Sequence, residues 1–566
     1  MINDTACDPP LEHSQRNATL SGSLVGRVVA PLRSNLDVDP GARAPRIRAF
    51  TGWVISLMLV AYAVFAPHSI ALTQGAYLIG LAAWVCHLAA GRGFRKLKTP
   101  VDLALFGFFA CCVVSSFFSY DPLVSIKGLR SPAFFLAFYF VSHTVRSIRF
   151  ASFLGVAVVL SCLVNVAYSG SKLAAGRGLR IDAVAPVSGF ASDEIRIGDV
   201  ILEADDQPVN SPDALSRIVD SHRGRLHLKL QRKDAVVETS IPRRALKEAS
   251  GIGFERLGIE TSPGRSFRIS GFYSHYETYA EVLQLILSLA VGLLIAAPLR
   301  RRTMTLFLCG SIALLVPTLI LTSTRAALAG LAVSVATMAL ASSRRRVLIV
   351  STLGILVMLP LALVAVERSR GVSLFDPEEG STAYRLEVWR EAFGIIKDNP
   401  LLGIGKGSEA KLKTSLGLYD EGRLPPGHFH STPVQIAVWW GLLALVFYFS
   451  FMALFGIETW RLIRSLEPPS KWQSRGIALG GLGAVAAFNV SSLAHFNFGD
   501  GEVVMAFWLL TGLAFAVRRI ACESLDSRRS AHIRPRSSED RSSRNQPQQP
   551  ATTFEPSVRA ARAKQN

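Results

Sequence analysis

Seven cysteines are spread over 566 residues, five of them in apolar runs and none in either of two long polar inserts. That distribution supplies neither a disulfide framework nor a thiolate metal site. The apolar runs also lack the H-E-x-x-H pair, the G-x-S-x-G turn and the paired aspartates that proteolysis within a membrane would need. His275, Tyr276 and Glu277 come without a second histidine, and Asp500 and Gly501 lie at a run's end without a partner motif. A transporter would show internal repeats and intramembrane charges; no repeat is seen, and Glu281 is the clearest acid in an apolar run. Acids are scarce throughout: 42 stand against 61 lysines and arginines, a net charge of +19.

What the chain has in quantity is apolar length. Half of its residues are hydrophobic, and with so many cations this describes an integral membrane protein whose charge is gathered in loops and tails. Runs of the roughly 17–25 residues that a membrane helix needs fall at 50–67, 69–91, 101–119, 131–146, 150–170, 277–298, 304–322, 325–342, 346–366, 432–456, 476–495 and 501–518. The expected fold is therefore an all-α polytopic membrane protein of about twelve transmembrane helices, grouped at 50–170, 277–366 and 432–518.

Orientation follows from charge. With a cytoplasmic N-terminus the even connections should be basic, and they carry Arg92, Arg95, Lys96 and Lys98; Arg146 and Arg149; Arg300, Arg301 and Arg302; Arg344, Arg345 and Arg346; Arg461, Arg464, Lys471 and Arg475. Residues 1–49 are polar, and their apolar run begins too late for a cleavable signal, so they read as a cytoplasmic tail. Residues 519–566, rich in serine, arginine, proline and glutamine, read as a disordered basic tail on the same side, solvated or touching anionic lipid. The odd connections then face outward, into the periplasm if the membrane is the inner membrane of a Gram-negative cell.

The first outward insert, 171–276, holds a folded unit. The run RLHLKLQ from Arg225 to Gln231 alternates like a strand with one buried face, Lys233 and Asp234 turn, and Val236 to Ile241 return. Ser211, Pro212 and Asp213 read as a helix start, and Gly224 ends that segment. From Gly176 the order GRGL, VAPVSGFA, IRIGDVILEADDQPV, a helix and two strands resembles a bacterial PDZ domain, an α+β module at 175–245 followed by a linker at 246–276. The resemblance implies an extended peptide ligand added to a strand edge, its carboxylate received near Gly176, Gly178 and Leu179, or else a spacer with an empty groove.

The second insert, 367–431, brings candidate chemistry to the same face. Leu386, Trp389, Phe393 and Ile396 recur at helical spacing up to Asn399 and Pro400, predicting a surface helix with those residues on its apolar face. His430 precedes Ser431, Thr432 and Pro433, where a hydroxyl caps the next helix. Arg268 and His275 lead into one span, and Arg325 sits where two outer span ends meet. With Arg385 and His430 they can border one cavity, although interfacial arginines also snorkel to headgroups. His428 competes with His430, His275 also reads as a plain interfacial histidine, and Arg385 also reads as an anchor to lipid phosphate. Arg344, on the opposite face, is expected to be dispensable for activity.

Taken together, LTSTR ending at Arg325, RLEVW from Arg385, NPLLGIG from Asn399 and HSTPVQ from His430 followed by Gly441 resemble the signature segments of the O-antigen ligase and Wzy-type polymerase superfamily. Ser431 and Trp439 stand where that family often has asparagine and glutamate. The resemblance implies a glycosyltransferase that moves a glycan from an undecaprenyl-pyrophosphate carrier to an acceptor hydroxyl, on lipid A-core for a ligase or on another carrier-linked repeat for a polymerase. A protein acceptor is a third reading, with the PDZ-like module presenting a peptide. Arg268 and Arg325 would hold the departing pyrophosphate without a metal or cofactor, and His430 would take or orient the acceptor's proton. Nucleic acid is not among the expected partners.

Overall fold

The computed structural model describes residues 30–36, 44–91, 98–186, 188–191, 194–221, 224–232, 235–247, 257–265, 267–370, 380–413, 415–419, 427–466 and 471–533. The expected turn at Lys233 and Asp234, the connection at Arg92, Arg95 and Lys96, and most of both tails lie outside these residues. The chain divides into a unit of residues 1–520 and a unit of residues 521–566.

All twelve expected spans contain helix: α1 (Pro45–Phe65), α2 (Ile70–Ala89), α3 (Asp102–Phe117), α4 (Leu136–Thr144), α5 (Ile148–Ala175), then α7 (Tyr276–Ala296), α8 (Arg302–Leu321), α9 (Arg325–Ser342), α10 (Arg345–Arg370), α12 (Thr432–Ser465), α13 (Trp472–Ser492) and α14 (Gly501–Ile533). Between them stand α6 (Pro212–Ser221) and α11 (Gly380–Asp398). Among the described residues ten stretches are long and apolar enough to cross a membrane, two fewer than expected. The first shortfall is α3, only 16 residues long. The second is α13, whose WQSRGIALGGLGAVAAFNVSS spends much of its length on glycine and serine. That composition has a structural use. Most of α13 is buried, and a Cβ at Gly480 or Gly292 would strike the facing helix, so glycines let α13 and α7 approach backbone to backbone.

The insert at 171–276 folds as a six-stranded antiparallel sheet, β1 (Leu179–Val184), β2 (Val200–Ala204), β3 (Gln207–Pro208), β4 (Arg225–Arg232), β5 (Ala235–Pro242) and β6 (Ile259–Pro263), in the order β5-β4-β2-β1-β6 with β3 on β2. The predicted alternation holds: Leu226, Leu228 and Leu230 are buried, together with Leu215, Ile218 and Val219 of α6. The sheet continues past residue 245, because β6 pairs along β1 from Leu179 opposite Pro263 to Val184 opposite Ile259.

The helix α11 forms where expected but buries a different face. Val388, Ala392 and Ile395 are buried, while Leu386 and Phe393 are more than half exposed. The smaller side chains allow close packing on α12, and the bulkier ones are left outside. Ser431 is the N-cap of α12 by position, with Pro433 in the first turn, yet its side chain makes no capping bond.

Candidate functional site

A cleft of about 350 Å³ opens where the first turns of α7 and α9, the helix α11, the strap before α7 and the α13–α14 connection meet. Arg268, Arg325 and Arg385 all line it, with Tyr276, Glu277, Glu281, Ser323, Thr324 and His495. Each arginine is placed by a different device. Arg325 is the first residue of α9, after a turn in which Ser323 is left-handed, so its cation adds to the positive end of an 18-residue helix. Arg268 lies over the Tyr276 ring, 4.3 Å from its centroid. Its strap is fastened by Ile269 N–H donating to the Leu321 carbonyl at 3.4 Å and Phe272 N–H to Asn165 Oδ1 at 3.3 Å. Arg385 reaches in from α11 and stands 3.9 Å from Glu277.

Carboxylates balance these cations on one side only. His495 Nε2 lies 3.3 Å from Glu277, and its Nδ1 lies 3.2 Å from Glu281, off good hydrogen-bond geometry. Burial disfavours a charged imidazole, but Glu281, Glu277 and Asp500 outweigh it and hold the His495 pKa up at about 9. His495 is therefore a cation at neutral pH, bridging two acids.

Beside it runs a histidine turn. His428 and His430 have ring centroids 4.2 Å apart, and His428 is 5.9 Å from His495. The turn is clamped at the buried Phe429, whose N–H donates to Gln435 Oε1 at 2.9 Å and whose carbonyl accepts from Trp389 Nε1 at 2.7 Å. His430 itself is left-handed at φ 47°, a conformation that non-glycine residues adopt only where the surroundings fix it. Thr432 ties the turn to the His495 segment, its N–H donating to the His495 carbonyl at 3.2 Å and its hydroxyl to Asn497 Oδ1 at 2.8 Å. Burial first, then the neighbouring His428, Arg385 and His495, push the His430 pKa down to about 3. Burial and His495 lower His428 to about 4. Both rings are therefore neutral at about pH 7, and His430 Nδ1 is buried without a hydrogen-bond partner among the described residues.

The segment from Pro400 to Gly405 has a structural task. α12 breaks at Gly441 (φ 80°, ψ 174°), freeing backbone groups inside the fold. Leu442 N–H then donates to the Pro400 carbonyl at 2.7 Å, while Ile404 and Gly405 donate to the carbonyls of Val438 and Trp439, each at 2.9 Å. Trp439, the departure noted in the sequence, donates its indole N–H to Glu409 at 2.9 Å and packs on Phe496, so a loop carboxylate sits at its ring edge.

Below the cleft, α7, α8, α9 and α10 enclose an apolar groove of about 500 Å³. Leu287, Pro317, Leu328 and Met358 are among its walls. Two of its helices also bear cleft residues in their first turns, α7 with Glu277 and α9 with Arg325, and the α8–α9 turn adds Ser323.

Of the residues singled out in the sequence, the three arginines share the cleft, and His428 and His430 adjoin it through His495. His275 does not join them: it is the exposed residue before α7 and does not line the cleft. Gly176, Gly178 and Leu179 lie at the sheet, where β6 covers their strand edge. Arg177 N–H already donates to the Gly264 carbonyl at 2.7 Å, and the Gly178 carbonyl accepts from Gly264 N–H at 3.1 Å. Glu277, Glu281 and His495 were not picked out as site residues. Their signal is a histidine and two acids at or near span ends, and nothing in their spacing pairs them.

No curated protein matches the chain. Residues 310–449, from within α8 to within α12 and including Arg325, Arg385, His428, His430 and Gly441, match the family model described as O-antigen ligase.

Proposed function

We propose that this chain is a ligase- or polymerase-type glycosyltransferase, moving a glycan from undecaprenyl pyrophosphate to an acceptor hydroxyl at the outer face of a bacterial inner membrane. The observation that carries the reading is the convergence of Arg268, Arg325 and Arg385, distant in sequence, on one cleft that His495 also lines. In the reaction the bond from the sugar carbon to the pyrophosphate oxygen breaks, and a bond to the acceptor oxygen forms with inversion. The negative charge that grows on the leaving pyrophosphate meets forked guanidinium donors and the N-terminus of α9. The apolar groove on α7, α8 and α9 takes the isoprenoid chain.

The acceptor hydroxyl lies on the His430 side. A neutral imidazole accepts its hydrogen bond, orients it and takes its proton as the new bond forms, later releasing it to water. The incoming pyrophosphate, by offsetting the cations of Arg385 and His495, raises the basicity of His430 when it is needed. Both tails are assigned to the cytoplasm by the basic connections. The sheet unit is read as a PDZ-like insert, and a peptide adding to β1 would have to displace β6. Lipid A-core is the acceptor of choice in this reading. A deletion strain examined by lipopolysaccharide gel tests it: loss of capped core with free carrier-linked polymer retained supports a ligase, single-repeat capping marks a polymerase, and an unchanged ladder removes the reading.

A further inference from the structure

Arg268 lines two cavities. The second, about 300 Å³, lies between the outer end of α5, the first residues of the sheet unit and the strap that carries Arg268. Lys172, Arg177 and Arg268 are among its lining residues, with Ser169 and Ser270, and no carboxylate lies among the described lining residues. Lys172 and Arg177 are exposed, with the Lys172 ammonium 4.5 Å from the Tyr168 ring centroid. The end of α5 presents carbonyls here, so an anion would be held by side chains and not by helix amides. The walls are pre-organised. Backbone hydrogen bonds between Arg177, Gly178 and Gly264 lock the strap to the start of β1, and β6 extends that pairing along the strand.

We infer that this cavity is a phosphate subsite for the acceptor, which makes the acceptor a phosphate-bearing lipid rather than a polypeptide. The inference rests on the glycosyl-transfer reading of the neighbouring cleft and deepens it. A reaction that joins two membrane-held substrates must bring two anionic headgroups close together without mutual repulsion. Two cavities with cationic residues in their walls and one arginine in common do that: Arg268, which lines both, stands between the donor pyrophosphate and the acceptor phosphate and screens each from the other. A protein hydroxyl brings no such group. The phosphate belongs either to a glycolipid core or to a carrier-linked repeat, and the chemistry of the cavity is the same for both.

The test uses the full chain in nanodiscs, with a carrier-pyrophosphate-linked glycan as donor. Acceptors are a phosphorylated lipid A-core, the same core after phosphatase treatment, and a carrier-pyrophosphate-linked repeat. With the wild-type chain, KM for one phosphorylated acceptor is expected to lie about tenfold below that of the phosphatase-treated core, and which acceptor shows this identifies the source. The double variant Lys172→Gln/Arg177→Gln is expected to raise that KM about tenfold and abolish the difference, with KM for the donor unmoved. Equal use of the phosphatase-treated core by the wild type, or discrimination retained in the double variant, overturns the subsite.

A binding arm is independent of transfer. Spin-labelled phosphatidic acid in nanodiscs should show a motionally restricted fraction that falls several-fold in the double variant and persists in Arg325→Ala. If no transfer is seen with any acceptor but this fraction behaves as expected, the glycosyl-transfer reading fails and the phosphate site stands. If the restricted fraction falls but acceptor KM does not move, the anion is a bilayer headgroup and the acceptor assignment is overturned.

Discussion

At the scale of single residues, the site separates cations that are always charged from histidines whose charge is set by neighbours. Arg325→Ala and His430→Ala are each expected to abolish glycan transfer with protein level and membrane insertion unchanged, measured by in vitro transfer and immunoblot. The control is Arg461→Ala, because Arg461 is largely exposed and, among the described residues, pairs with Glu458 on its own helix. Arg344, expected to be dispensable from its position, donates to the Ile295 carbonyl at 3.2 Å and so caps α7. His495 gives a pH signature. Its pKa is raised in the fold from 6.5 to about 9, so the protonated form is bound more tightly by the native state. That stabilisation is full below about pH 6.5 and is lost as pH rises through about 9. The melting temperature should therefore fall between pH 7 and pH 9.5, and His495→Gln should flatten that limb. His430 works in the opposite sense: held neutral by a pKa of about 3, it contributes stability above pH 6.5 that is lost as pH falls. The arginines were legible in the sequence because a guanidinium beside an apolar run demands an explanation. His495 was not, because the acids that charge it lie on α7, far away in the chain.

Among the elements, the break in α12 shows how a motif can be read correctly for place and incompletely for purpose. NPLLGIG and the later glycine stand out in the sequence as landmarks. The structure shows the first filling the hydrogen bonds that the second opens. Gly441→Ala would put a Cβ into the Leu401 carbonyl at a φ that L-residues avoid. It is expected to destabilise the fold by at least about 1–3 kcal/mol from backbone strain alone, read as a lowered melting temperature in detergent. Apolar periodicity identified α11 but not its buried face. Hydrophobic spacing reports that a helix has an apolar side, while the choice between Leu386 with Phe393 and Val388 with Ala392 is made by the helix it packs against. The same limit applies to α13, where glycine lowered the hydropathy of a helix that is among the most buried.

The whole molecule is a helical membrane protein with a sheet unit inserted between α5 and α7, and that plan was largely legible from run lengths and turn chemistry. What run lengths could not give is the closing strand β6, whose five residues become a strand only by pairing with β1. The basic connections served in the sequence as signs of topology, and the structure gives several of them a second use: Arg475 donates to the carbonyls of Ile463, Leu466 and Ser342, closing the ends of α12 and α9. The proposed orientation has its own check. A cysteine introduced at Asp206 in a cysteine-free chain should react with a membrane-impermeant maleimide from outside, and one at Arg301 should react only after the cytoplasmic side is opened. The central claim is that three arginines, brought together only by folding, hold one pyrophosphate. Its most direct test is equilibrium binding of undecaprenyl pyrophosphate to the purified chain. Arg268→Ala, Arg325→Ala and Arg385→Ala are each expected to weaken binding about tenfold or more, as loss of a charged hydrogen bond does, with Arg461→Ala unchanged. Wild-type affinity in all three single variants would contradict the account.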